Sequence, residues 1–451
     1  MGRMFGTDGI RGVANVELTP EIALKTGRAV AALLKEQQGS SRPCFVIGMD
    51  TRVSGKMLES ALVAGITSAG VDVHLLGVIS TPGVSFLIRH MKAAGGVMVS
   101  ASHNSFQDNG LKFFNNLGHK LNSELEEEVE RLYFQEADFM PRPSGKEIGR
   151  SYHGENAVEH YLSFLEGCAP PLRGIKVVLD CANGSLYHIA PSLLKQLGAE
   201  VTLLSGNPDG LNINVGCGST NPAVLQETVR KVGAHAGLAF DGDGDRLIAV
   251  DEKGELVDGD AILAICGIHM KEKGLLTGDT VVATVMSNGG LEMVAREKGF
   301  QVLRTRVGDR YVLEKMLKGG YVLGGEQSGH VIFSHLLPTG DGLLTALQLL
   351  KVMVEKGVPL SELAGVMPRF PQILVNCPVR EKDGWQENPR LAAALEQARK
   401  RLGTWGRVLV RASGTEPLIR IMVEGENYDL LHELSSELAL MIGEELGQEK
   451  Q

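Results

Sequence analysis

The sequence predicts an α/β protein: three similar α/β domains with mixed sheets, then a C-terminal α+β domain, all around a central cleft. Three observations carry this. First, an apolar strand ending in a polar turn occurs three times, at residues 44–50, 175–180 and 279–285. Second, each is followed by a helical stretch and a Gly-x-x-Val strand, at 70–73, 198–201 and 299–302. Third, each copy then makes a further apolar strand that runs into a loop dense in polar residues, at 95–104, 236–246 and 321–330. Strands alternating with helices build parallel sheets covered by helices. The glycine before each second strand suits a helix C-cap. Ligands of open α/β sheets bind beyond the carboxyl ends of strands, so three equivalent strand ends imply one shared cleft. The chain after about residue 369 breaks the pattern. It mixes strands such as 407–411 with amphipathic helices near 391–402 and 429–446. The expected domains are 1–154, 155–254, 255–368 and 369–451.

The loop of the first copy reads Ser100-Ala-Ser-His-Asn-Ser105. A hydroxyl there can serve as a covalent nucleophile, although Ser and Asn are also ordinary turn formers. It is not a hydrolase elbow, because Gly-x-Ser-x-Gly is absent from it. Lys112 follows on an apolar run, placed to orient a phosphate or to be a solvated strand lysine.

The loop of the second copy is Asp241-Gly-Asp-Gly-Asp-Arg246. Like charges repel by about 1 kcal/mol at ~4 Å in water and by more in a shielded site. Glycines between them let Asp241, Asp243 and Asp245 converge, and a hard divalent cation is the natural occupant. An EF-hand is a rival, with Ile248 at position 8 and Glu252 at position 12, but Arg246 stands where the sharp turn wants glycine. Both flanks, 236–240 and 247–250, read as strands, whereas an EF-hand needs helices. A catalytic Mg²⁺ site at a strand end, with Arg246 facing an anion, is the expectation; a structural acidic turn is the alternative. In the fourth domain Arg411-Ala-Ser-Gly-Thr-Glu-Pro417, with Arg420 beyond it, offers two arginines, two hydroxyls and an open backbone. That composition suits a phosphate cradle, or else a surface turn with arginines.

Composition narrows the classes. The chain of 451 residues is 43% hydrophobic and 22% charged, as ordinary globular proteins are. There is no apolar run of spanning length and no signal-peptide core at the start, so a cytoplasmic protein without a membrane partner is expected. A net charge of −9 without a basic tract argues against nucleic acid. The six cysteines are scattered, without Cys-x-x-Cys, and read as reduced thiols. No Walker A loop, dinucleotide fingerprint or His-Glu-x-x-His zinc motif is present.

Six segments in order carry a resemblance: 5–12, 100–104, 241–246, 305–311, 324–330 and 411–417. On these the chain resembles the α-D-phosphohexomutase superfamily over essentially its whole length. The resemblance implies a four-domain enzyme in which Ser102 carries the phosphoryl group. It implies one Mg²⁺ per chain, held by Asp241, Asp243 and Asp245 with an oxygen on Ser102. Arg11, Lys112 and His330 fall near the reacting phosphate. Glu326 and Ser328 would hold sugar hydroxyls, with Arg246 facing the substrate anion. Arg411, Ser413, Gly414, Thr415 and Arg420 would hold the second phosphate. The implied reaction interconverts hexose 6- and 1-phosphates through a 1,6-bisphosphate. Gln327 and the 307–311 segment point to glucosamine phosphates, on the route to UDP-N-acetylglucosamine. Glucose or mannose phosphates, or a Mg²⁺-dependent phosphatase, are the alternatives. A homodimer is likewise only implied. One departure is Ser105, where the family usually has proline; a less rigid loop is expected from it.

Overall fold

The structure, a computed structural model, describes residues 4–6, 8–38, 42–135, 140, 142–382, 384–413 and 417–447. Among these residues the chain forms four sheets. In the first, Cys44–Met49 lies between the parallel strands Asp72–Val78 and Gly95–Val99. Phe45, Val46, Ile47 and Val97 are fully buried, as expected for strands covered on both faces. Phe45, Ile47 and Val97 share one core with Leu58, Leu62 and Ile66 of the helix Gly55–Ser68. In the second sheet Lys176–Asp180 lies between the parallel strands Glu200–Leu204 and Ala236–Phe240. In the third, Thr280–Thr284 pairs in parallel with Leu323–Gly325, and Gln301–Thr305 forms the other edge.

All three sheets share one further feature. The third strand of each copy turns back into an antiparallel partner: Gly95–Val99 into Asp108–Asn115, Ala236–Phe240 into Leu247–Asp251, and Leu323–Gly325 into Val331–Phe333. The three loops singled out in the sequence are therefore the same connection in three repeats. The sheets are mixed, as expected, and the antiparallel member is always the strand that leaves the chemical loop.

By its internal contacts the chain divides into two units, 1–284 with 303–366, and 285–302 with 367–451. The second unit holds an antiparallel sheet in which Leu418–Glu424 lies between Gln372–Pro378 and Arg407–Ala412. Ile419, Ile421 and Val423 pack there with Leu431, Leu434 and Leu438 of the helix Tyr428–Leu446. The same unit takes in the helix Gly289–Lys298 of the third repeat. Glu424, fully buried, accepts from the Gly289 amide at 3.1 Å and from Arg407 Nε at 2.6 Å. Arg407 also donates to the Val285 carbonyl at 2.7 Å and to that of Ser287. Among the described residues no helix is long and apolar enough to cross a membrane, and all six cysteines are free thiols.

Candidate active site

Strand Gly95–Val99 is buried along its length and delivers the first loop into the interior of its unit. Ser102 is 1% exposed and has a φ of 51°, the left-handed region that residues other than glycine visit rarely. Its amide donates to Ser100 Oγ at 3.0 Å, and Ser100 Oγ donates to Asp50 Oδ2 at 2.5 Å. Its own Oγ donates to Asp241 Oδ2 at 2.6 Å, joining the serine loop of the first repeat to the aspartate loop of the second. His103 Nδ1 lies 3.3 Å from the same hydroxyl. Burial, with Arg246 and Arg11 nearby, lowers the imidazole pKa to about 4, so His103 is neutral at pH 7.

The aspartate loop is the turn of a hairpin whose strands pair Phe240 with Leu247. With strands on both sides the EF-hand reading is excluded. Gly242 is required by proximity: a Cβ there would lie 2.5 Å from the Ser102 carbonyl oxygen. Asp241, Asp243 and Asp245 are at most 4% exposed and bring ligand oxygens within 4.8 Å of one another. Among the described residues Asp243 Oδ1 and Asp245 Oδ1 are buried without a hydrogen-bond partner. Burial, with Asp245 and Asp243 beside it, pushes the Asp241 carboxyl well above its usual range. Asp245 is held well below its own, against burial, by Lys112 and His330. Buried, crowded carboxylates with unused oxygens are a donor set that fits a hard divalent cation.

A basic group faces them. Lys112 Nζ, fully buried on strand Asp108–Asn115, lies 2.7 Å from Asp243, 3.0 Å from Asp8 and 3.7 Å from Asp245. Lys120 pairs with Asp8 and, at 2.6 Å, with Asp309. Arg11 is ion-paired to Asp8. Burial opposes ionisation of Asp8, yet Lys112, Lys120 and Arg11 hold its carboxyl well below the usual range. His330 Nε2 accepts from the Gly340 amide at 3.2 Å, which puts the ring proton on Nδ1, 3.6 Å from Asp245.

The third loop closes on the second. The Leu247 amide donates to the Gly329 carbonyl at 3.0 Å and the Gly259 amide to that of Gln327 at 3.1 Å. Glu326 accepts from the Gly308 amide at 3.0 Å, while Ser328 is exposed. Burial opposes the charge of Arg246, but Asp245, Asp241 and Glu326 raise its pKa. Ser102, Lys112, Arg11, the three aspartates, Arg246, Glu326 and His330 thus share one region of the first unit. In the second unit, Arg411 and Arg420 stand directly opposite each other on neighbouring strands. Burial and Arg420 lower the pKa of Arg411. Like charges placed opposite are destabilising unless an anion joins them. Ser413 is buried, and its amide donates to the Leu418 carbonyl at 2.9 Å. Gly414 and Thr415 lie outside the described residues.

Four family models match along the chain. Those for phosphoglucomutase/phosphomannomutase α/β/α domains I, II and III match residues 2–139, 159–254 and 258–370, and the one for the C-terminal domain matches 374–441. The chain belongs to this family. Among relatives of these mutases, the phosphoglucosamine mutase of Symbiobacterium thermophilum is 56% identical, over 99% of this chain and all of its own. That of Desulforudis audaxviator is 54% identical, over 98% of each. Among solved structures, a phosphoglucomutase/phosphomannomutase family protein from Burkholderia thailandensis superposes with a TM-score of 0.81 at 25% identity, covering 98% of both chains.

Several residues around this mutase site were given no role in the sequence reading. They are Asp8, Asp50, Arg52, Thr81, Lys120, Asn214 and Asp309. Thr81 donates to Asp243 Oδ2. Asp8 lies three residues before Arg11 in a motif already noticed, and that adjacency was the available signal. At Ser105 the hydroxyl donates to Gln107 Oε1 at 2.6 Å, and Asn104 Nδ2 donates to Asp108 Oδ2 at 2.9 Å.

Proposed function

We propose that the protein interconverts D-glucosamine 6-phosphate and α-D-glucosamine 1-phosphate through phosphorylated Ser102 and a glucosamine 1,6-bisphosphate, supplying UDP-N-acetylglucosamine synthesis. The observation that carries this reading is Ser102 Oγ on Asp241, 2.6 Å away, beside buried Lys112. Full-length identity above one half to proteins named phosphoglucosamine mutase supports the choice of substrate.

Phosphate monoesters react so slowly uncatalysed that positioning and charge stabilisation must supply nearly the whole acceleration. The phosphorylated Ser102 donates to one end of the sugar monophosphate; the P–O bond to Ser102 breaks as that to the sugar oxygen forms, and the proton of the sugar hydroxyl ends on the Ser102 oxygen. The bisphosphate turns end over end, and its other phosphoryl group returns to Ser102. Lys112, Arg11 and Arg246 counter negative charge on the phosphoryl oxygens, and His330 lies beside them. Glu326 and Ser328 take sugar hydroxyls, while Arg411, Arg420, Ser413, Gly414 and Thr415 hold the phosphate that is not reacting. One Mg²⁺, held by Asp241, Asp243 and Asp245, supplies Lewis-acid neutralisation of the phosphoryl oxygens when bound.

Ser102→Ala is the direct test. Mutase turnover should be lost or severely reduced, and near-normal turnover sinks the reading. Side-by-side assays of the glucosamine, glucose and mannose 6-phosphates test the substrate; a wild type that does not favour glucosamine 6-phosphate overturns that part. Free phosphate as the main product would mark a phosphatase instead.

A further inference from the structure

We propose that Arg52 and Asn214 are positioning residues that hold Ser102 in its left-handed conformation by gripping its carbonyl from two repeats at once. The inference rests on the reading of Ser102 as the phosphoryl carrier. Arg52, whose side chain is fully buried, lies three residues beyond the strand Cys44–Met49. Its Nη2 donates to the Asn104 carbonyl at 2.6 Å and to that of Ser102 at 3.3 Å, and its Nε donates to the Asp108 carbonyl at 2.9 Å. Asn214, from the second repeat, donates through Nδ2 to the same two carbonyls, of Ser102 and Asn104, each at 2.9 Å.

The Ser102 residue is therefore fixed on both sides: its amide by Ser100 Oγ and its carbonyl by Arg52 and Asn214. Asp50 connects the two sides, because it accepts from Ser100 Oγ and is ion-paired to Arg52. A non-glycine residue at φ 51° is strained and persists only where its surroundings over-determine it. Released, the backbone relaxes toward the right-handed region and swings Oγ away from Asp241. A displacement of about 1 Å in a reacting group can cost ~10²-fold in rate. Neither side chain touches the reacting atoms, so both act through the Ser102 backbone.

Two variants test this beside wild type. Arg52→Met is made together with Asp50→Asn, so that no unpaired buried charge remains. Asn214→Gly removes the second donor at a position whose own φ of 60° glycine tolerates. Turnover of glucosamine 6-phosphate should fall about 100-fold in the first and about tenfold in the second, with KM within about threefold of wild type. Mass spectrometry should show phosphoryl transfer from a hexose 1,6-bisphosphate to Ser102 slowed by the same factors. Arg52→Lys, which restores a single donor, should recover part of the loss. Should the double variant not fold, Asn214→Gly decides alone. A kcat within twofold of wild type, or a loss that appears in KM and thermal stability while transfer to Ser102 is unchanged, overturns the clamp. An active wild type with unaffected variants rejects only the clamp. A wild type inactive on every sugar phosphate rejects the activity, and with it any reaction for the clamp to aim.

Discussion

Lys112 is buried with three carboxylates within 3.7 Å, one from the first repeat and two from the second. Removing one partner of a buried charge set costs about 3–5 kcal/mol, because the charges left behind are unpaired. Lys112→Met should therefore lower unfolding stability by that amount in a denaturant titration and reduce kcat by at least about 10²-fold. Unchanged stability would show that water reaches these acids. Asp341 makes a different prediction. It caps the helix Gly342–Lys356, accepting from the Leu344 amide at 2.9 Å and from Tyr161 OH at 2.6 Å, and burial pushes its carboxyl up to about 6. A raised carboxyl pKa means the fold prefers the protonated form. Its contribution is complete below about pH 4 and drains away as pH rises through 6. Relative to Asp341→Asn, wild type should lose on the order of 2–3 kcal/mol between pH 4 and 7, read by denaturant midpoints across that range. A flat difference would count against it. The aspartate triplet was legible in the sequence because its ligands are contiguous. Lys120 and Asp309 were not, since their partners are far off in sequence: Lys120 lies 112 residues from Asp8 and 189 from Asp309.

At the scale of elements, the chemistry depends on how closely one hairpin turn approaches another loop. Gly242→Ala would set a methyl 2.5 Å from the Ser102 carbonyl oxygen, a backbone atom that can yield only by moving Ser102 itself. Turnover should drop about 10²-fold with little change in overall helicity by circular dichroism; full activity would mean that the loops part easily. Strand positions such as 44–49 and 236–240 were readable from their apolar runs. The return direction of the next strand was not, because a periodic pattern carries no arrow. Leu323–Gly325 shows the limit most sharply: a strand was expected there, but its parallel pairing with Thr280–Thr284 and antiparallel pairing with Val331–Phe333 emerge only in the fold.

At the scale of the whole molecule, the second unit is locked internally around Glu424. Arg407→Met would leave that carboxylate buried beside the Gly289 amide with its main cation gone, at a cost of about 3–5 kcal/mol. Hydrogen exchange should rise across 285–302 and 367–447. Uniform loosening of the entire chain would contradict the division into two units. Nothing in the third repeat announced that its helix Gly289–Lys298 belongs with the C-terminal sheet. The ties are Asn288 to the Phe370 backbone, 82 residues on, and Gly289 to Glu424, 135 residues on.

The three hairpin turns have one more consequence. Each repeat presents its loop from the same socket, and the sockets are alike while their contents are not: a hydroxyl, a set of acids, a lone glutamate. The frame was copied and the cargo was not. A change in one cassette, such as 326–330, can retune what is bound without disturbing the strands that hold the other two. Ser105 shows how local such a cassette's bonding is: its hydroxyl donates to Gln107, two residues on.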